Sequence, residues 1–274
     1  MRWIALVCAC LCVLGVAGST AAQTRVAFLA AGDYGVGGSR ELSLGLRMRS
    51  FEGRNPADML VLLGDNDYTM SPARFRSSWQ RSFGWARRRG LRVAGVLGNH
   101  DYEVARGRYE LGLLGMPGPY YTRVLGDAQL VFLDSNVVTT RQTAWLEQVL
   151  ADSAATWKIV VMHHPAFTCG GHSGNLAVAR RWVPLFETYG VQLVLAGHDH
   201  NYQRFAARNG VTYVVDGAGA AGLYTLRRCP TTYPRRVRAL YEHGFLSVAF
   251  DGDRLDLSAI DMRGQVRDHV TLNP

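Results

Sequence analysis

Short apolar runs recur along this chain, and a glycine or a polar cluster closes each of them. VAFLAAG, DMLVLLG, LRVAGVLG, WKIVVM and VQLVLAG are rich in Val and Leu and too short for ordinary helices, so they predict buried strands. Between them, apolar positions fall at helical spacing over residues 39–50, 72–89, 140–152 and 175–189. The third of these opens with Thr and carries Trp145, Leu146, Val149 and Leu150 on one face. Strand followed by helix, repeated, predicts βαβ units with parallel strands. After Gly197 the pattern changes to hairpins. Asn209-Gly210 separates FAAR from VTYVVDG, and Asp251-Gly252-Asp253 separates FLSVAF from RLDLSAI. Two packed mixed β-sheets flanked by helices satisfy both halves: an α/β (α+β) chain in four αββα layers. The sequence has no internal repeat and no low-complexity segment.

The ends of the chain and its composition refine this picture. Arg2, the apolar stretch Trp3 to Ala17 and the small residues Gly18 to Ala22 follow the order of a secretory signal peptide. Residues 1–22 are therefore expected to be removed, leaving 23–274 as one domain in a secreted or periplasmic protein. The rival reading, an uncleaved anchor, has a stretch short for a full span, and no later segment is apolar enough to cross a bilayer. With 274 residues and 48% hydrophobic content the chain can bury a full core. Cys8, Cys10 and Cys12 leave with the signal. Cys169 and Cys229 then remain, either as one disulfide or as two buried thiols. The formal charge of +8 becomes +7 without Arg2 (8 − 1), and such a surface favours anionic substrates. Arg87-Arg88-Arg89 ends an amphipathic stretch and reads as a solvated helix face, with no nucleic-acid partner implied.

Polar motifs sit where the apolar runs end: Asp33-Tyr34-Gly35, Gly64-Asp65-Asn66-Asp67-Tyr68, Gly98-Asn99-His100-Asp101, His163-His164-Pro165 and Gly197-His198-Asp199-His200. In α/β sheets the crevice beyond the strands' C-terminal ends is where ligands bind, so motifs distant in sequence can converge there. What converges is carboxylate, amide, phenol and imidazole, which is metal-ligand chemistry. Taken singly, Asp33 reads as a turn residue, Tyr68 as a core tyrosine and His172 as an exposed loop histidine. Asp65 has two oxygens and can bridge two cations, and alternation in an extended Gly-His-Asp-His segment would put His198 and His200 on one side.

Together the motifs resemble those of the calcineurin-like metallophosphoesterases, and specifically of the small, tartrate-resistant type of purple acid phosphatase. That family's blocks D-x-G, G-D-x-x-Y, G-N-H-(D/E), V-x-x-H and G-H-x-H stand here, in order, at Asp33 to Gly35, Gly64 to Tyr68, Gly98 to Asp101, Val160 to His163 and Gly197 to His200. The wider phosphoesterase pattern has D-x-H in the first block, a histidine this chain lacks, whereas Tyr68 matches the purple acid phosphatase phenolate. The resemblance, from Arg25 onward, implies the metallophosphoesterase sandwich. It also implies an Fe(III) ion on Asp33, Asp65, Tyr68 and His200, and a second divalent metal (Fe, Zn or Mn) on Asp65, Asn99, His163 and His198. His164 is the alternative to His163, since Val161 to His164 also fits the fourth block.

The implied activity is that of an acid phosphatase acting on phosphate monoesters, small phosphorylated substrates or phosphoproteins, by attack of a metal-bound hydroxide. His100 and His172 match the substrate-contacting histidines of the small enzymes and are candidates for protonating the leaving alcohol. The alternatives are a phosphodiesterase or nucleotidase with the same dimetal site, or a non-catalytic secreted binding module. The protein is expected to be a monomer with no stable membrane association once the signal is cleaved. Two features of relatives are not carried over. Only Ser135 to Thr143 lies where the mammalian-type enzymes carry a longer protease-sensitive loop, and the protein is expected to lack the extra N-terminal domain of the large plant-type enzymes. The loops Arg106 to Tyr121 and Gly222 to Tyr241 are expected to rim the pocket.

Overall fold

Strands β1 (Val26–Ala31), β2 (Met59–Leu62) and β3 (Arg92–Gly95) run parallel, as the βαβ pattern requires, in a computed structural model that describes residues 25–274. Helices α1 (Ser39–Glu52), α2 (Pro72–Ser82) and α3 (Gly84–Arg88) connect them. Next come α4 (Arg108–Leu114) and the strands β4 (Tyr121–Leu125) and β5 (Ala128–Phe132). Then α5 (Thr140–Ala151), β6 (Trp157–Val161), α6 (Leu176–Arg181), α7 (Val183–Thr188) and β7 (Leu193–Ala196) continue the alternation. The chain finishes with β8 (Tyr202–Phe205), β9 (Thr212–Asp216), β10 (Arg236–Leu240), β11 (Gly244–Asp251), β12 (Arg254–Asp261) and β13 (Val266–Leu272).

The first sheet has the order β13-β12-β11-β1-β2-β3 and the second β10-β8-β9-β7-β6-β5-β4. Both mix parallel and antiparallel pairs, and the αββα arrangement expected from the sequence is the one observed. Alternation along the strands of the second sheet explains the layering. Leu130, Ile159, Leu193 and Val214 join the core shared with Phe28, Leu60 and Phe245 of the first sheet. Their neighbours Val131, Val160, Val194 and Val215 instead pack with Leu146, Trp182 and Phe186 of the covering helices. A strand with both faces covered must be apolar at every position, which is why these runs read as continuous.

Two expected helices are each broken in two. The stretch 72–89 breaks at Phe83, whose φ of −123° leaves the helical range while its buried ring meets Tyr34 edge-on at 4.8 Å. The stretch 175–189 breaks at Trp182, where Pro184 in the first turn of α7 has no N–H to continue the preceding helix. Thr139 caps α5, its side chain accepting from the Gln142 amide, and Asn175 caps α6 in the same way through Ala177 and Val178. Both expected hairpins form. Asn209 and Gly210 take positive φ of 47° and 84° between β8 and β9, the type of turn that Asn-Gly favours. Helix α4 lies inside the stretch read from sequence as a pocket-rimming loop, and β10 inside the other. Their few residues carry too little periodicity to read.

The arginine run is solvated. Arg87 lies over the Trp79 ring and donates to the Leu113 carbonyl, while Arg89 pairs with Glu52. No helix among the described residues is long and apolar enough to cross a membrane, and the expected signal peptide lies outside the described residues. Cys169 and Cys229 form a disulfide, which settles the choice between a bridge and two thiols. Closing a loop of 60 residues is worth about 4 kcal/mol in the chain-entropy description. The Cys169→Ser/Cys229→Ser variant is therefore expected to unfold at lower urea with stability reduced by about that amount. An unchanged midpoint would mean that the bridge contributes nothing to the fold.

Candidate metal centre

The motif loops leave the C-terminal ends of β1, β2, β3, β6 and β7, and backbone hydrogen bonds tie them together. The Asp33 amide donates to Gly64 (3.0 Å), Gly35 to Asp65 (3.3 Å) and Gly197 to His163 (3.0 Å). Asp33, Asp65 and His198 have φ of 56°, 49° and 71°, the left-handed region that non-glycine residues adopt at a cost, most often at functional sites. The motif glycines leave room for ligand side chains. A Cβ on Gly98 would lie 2.1 Å from Asp65 Oδ1, and one on Gly64, itself at φ +92°, would lie 2.5 Å from His163 Nδ1.

One pocket gathers Asp33, Asp65, Tyr68 and His200. The Tyr68 hydroxyl lies 3.2 Å from Asp33 Oδ1, 2.9 Å from Asp65 Oδ2 and 3.1 Å from His200 Nε2. His200 Nε2 is 3.2 Å from Asp33 Oδ1, and His200 Nδ1 donates to the Gly222 carbonyl at 2.7 Å. That outer hydrogen bond fixes the tautomer with its lone pair facing inward, the usual arrangement of a metal-binding histidine. A second pocket lies alongside. His163 Nε2 is 3.2 Å from Asn99 Oδ1 and 3.4 Å from Asp65 Oδ1, while His163 Nδ1 donates to the Leu63 carbonyl at 2.9 Å. One ring nitrogen each from His163, His164 and His198 lies within 4.8 Å of the others. Asp65 thus turns one oxygen to each pocket, the geometry of a bridging carboxylate.

His100 packs on the Tyr68 ring at 4.4 Å, and its Nδ1 is 2.8 Å from Glu103. His172, on an exposed loop, stacks on His198 at 4.1 Å with an interplanar angle of 24°. The structure therefore brings every candidate residue into one run of contacts. His198 and His200 do not share one side of an extended segment, contrary to the alternation expected from the sequence. The segment after β7 is a turn, with His198 left-handed, so the two rings reach different pockets through that turn and not by strand alternation.

The electrostatics are those of a site that wants cations. Burial pushes the Asp33 carboxyl up. Burial acts the same way on Asp65, but His163 and the His100 amide outweigh it and hold Asp65 below the ordinary value. The Tyr68 phenol is driven up, first by burial and then by the Asp33 and Asp65 charges. Its phenolate is favourable only beside a compensating cation. Burial and then the neighbouring histidines depress His164, to about 3, and His198, leaving both as neutral imidazoles able to donate lone pairs. Carboxylates and a phenol on one side, an amide and imidazoles on the other, fit two cations.

Three braces are not readable from the sequence, although two of them, Asp101 and Asp199, lie inside the motifs. Asp101 accepts from the amides of Gly98, Asn66 and Asp67 and from the Asn66 side chain, at 2.7–3.0 Å. Asp199 accepts from the Gly171 amide at 2.8 Å and so anchors the loop bearing His172. Tyr224 lies flat on His200, 4.1 Å away and within 8° of parallel. Aspartates at fixed places in the motifs were the only available signal for the first two. Tyr224 gave none.

Residues 20–202 match the calcineurin-like phosphoesterases. The chain belongs to that family. Among relatives of this phosphoesterase is mouse tartrate-resistant acid phosphatase type 5, 27% identical over 243 residues that cover 73% of this chain and 74% of the mouse protein. Another is Arabidopsis thaliana purple acid phosphatase 17, 26% identical over 282 residues covering 88% and 82%. Purple acid phosphatase PPD1 from yellow lupin seeds superposes with a TM-score of 0.79 at 18% identity, over 92% of this chain and 54% of that one. GAP50, the anchor in the Plasmodium inner membrane complex, gives 0.78 at 17% identity, covering 91% and 89%. These two show the shared fold. The two relatives are named a tartrate-resistant and a purple acid phosphatase; this phosphoesterase is an enzyme of the phosphatase class, and its kinship implies a dinuclear metal centre.

Proposed function

We propose that the protein is a secreted acid phosphatase that hydrolyses phosphate monoesters, of small molecules or of phosphoproteins, as a monomer free of membrane and nucleic acid. The observation that carries this is the Tyr68 hydroxyl placed against Asp33, Asp65 and His200, because a phenol in that pocket suits a ferric ion. Asp33, Asp65, Tyr68 and His200 would hold Fe(III), and Asp65, Asn99, His163 and His198 a divalent Fe, Zn or Mn ion. Bound there, the two cations supply Lewis acidity toward the phosphoryl group and an acidified water.

The chain's own groups do the rest. Glu103 holds His100 by Nδ1, leaving the other ring nitrogen for a phosphoryl oxygen. His172, stacked on His198, is the proton donor to the leaving alcohol. The basic surface raises the local concentration of anionic substrate. His172→Ala is expected to lower kcat by about a hundredfold, within the range of general acid catalysis, with metal content unchanged. An undiminished kcat at acid pH would remove that role.

The deciding experiment is hydrolysis of a chromogenic monoester and its diester analogue across pH by the metal-loaded mature protein. Monoester turnover with an acid optimum is the expected result. Diester preference or an alkaline optimum would move the site to another branch of the family, and no turnover would favour an anchoring role such as that named for the Plasmodium protein.

A further inference from the structure

His164 belongs to neither ligand set just given, yet it stands among their side chains. It is half-buried, its ring centroid 4.9 Å from that of His163 and 4.4 Å from that of His198. His163 and His200 each have Nδ1 anchored on a carbonyl oxygen, which turns the other nitrogen inward. His164 repeats this device on a hydroxyl. Its Nδ1 is 3.0 Å from Ser135 Oγ, and its own amide donates to the same oxygen at 2.8 Å. The second lone pair of Ser135 Oγ offers an acceptor for the Nδ1 proton, and in that tautomer the free lone pair of His164 sits on Nε2. Outer hydrogen bonds of this kind are the usual support of a metal-binding imidazole.

We propose that His164 is a third imidazole ligand of the second pocket, beside His163 and His198, which makes that pocket selective for a nitrogen-preferring cation such as zinc. This rests on the dimetal reading given above. With Asn99 and the bridging Asp65 the pocket then offers three nitrogens and two oxygens, and imidazole donors favour zinc over manganese. His163 is no longer an alternative to His164: the two act together.

Zinc titration into iron-loaded, zinc-depleted protein against a competing chelator, with iron and zinc counted per chain, tests the assignment. His164→Ala is expected to weaken zinc binding by about a hundredfold and Ser135→Ala by about tenfold, with iron retained in both. The visible spectrum of the cobalt-substituted protein should also change in His164→Ala. Should that variant fail to fold, His164→Gln, which preserves volume and a donor toward Ser135, is titrated instead with the same expectation. Wild-type zinc affinity in the His164 variants, while His163→Ala loses the second ion, overturns the proposal. So does a variant that binds zinc normally but turns over slowly, since His164 would then face substrate. A wild-type protein that takes up no second ion overturns it as well. Wild-type protein that holds both ions without phosphatase turnover would refute the proposed substrate chemistry and leave this ligand set standing.

Discussion

Replacing Asp65 with Asn is expected to reduce the bound metal from two ions per chain to at most one. It should also lower kcat/KM on a chromogenic monoester by at least about a thousandfold, or about 4 kcal/mol in the barrier. The size of the effect follows from the position of one side chain in both pockets. Oδ1 faces His163 and accepts from the His100 amide at 3.0 Å, and Oδ2 faces Tyr68. Asn keeps the volume and can still accept from that amide, so the variant removes charge and bridging capacity while leaving the loop in place. Metal analysis and steady-state kinetics read the two effects separately. A variant with both ions and turnover within tenfold of wild type would show that Asp65 is not the bridge.

The second large effect concerns pH and stability. Asp216, at the end of β9, is 2% exposed, and its Oδ2 has no hydrogen-bond partner among the described residues. Burial, reinforced by the charge of Asp33, pushes its carboxyl up to about 8 from an ordinary 3.8. Below about 4 the group is protonated folded or unfolded and has no effect on the balance. Between there and about 8 only the unfolded chain ionises, so the folded state binds the extra proton and stability falls as pH rises. The slope is about 1.4 kcal/mol per pH unit over the middle of that window. Asp216→Asn is neutral at every pH. Its stability relative to wild type should therefore climb by about that amount per unit between about pH 5 and 7, read from urea midpoints. Parallel curves for the two proteins would show that Asp216 does not titrate on unfolding.

Much of this is legible in the sequence, for a physical reason. Strands covered on both faces advertise themselves as apolar runs, and the ligands sit where those runs stop. Asp33, Asp65, Asn99, His163 and His198 could thus be placed near one another from chain order alone. What stayed hidden depended on partners distant in sequence. Nothing around Ser135 announces that it will hold His164, and nothing around Tyr224 announces that it will lie on His200. The Asp101 carboxylate was visible in its motif, but its task of gathering three amides needs the loop after β2 to be folded beneath it. The helix breaks at Phe83 and Trp182 differ in this respect. The break at Phe83 is a tertiary choice that buries a large ring, which local propensity does not foresee, whereas Pro184 is a local signal for the break at Trp182.

The donors of each pocket come from both sheets. Asp33, Asp65, Tyr68 and Asn99 follow strands of the first, and His163, His198 and His200 follow strands of the second. Affinity for cations and docking of the two sheets are therefore a single thermodynamic quantity. Every increment of binding free energy at the crevice is also cohesion between the halves of the sandwich, drawn from the ion concentration around the protein. The crevice is a seam as much as a reaction vessel, and scarcity of the cations it holds would be felt first as loosening between the layers.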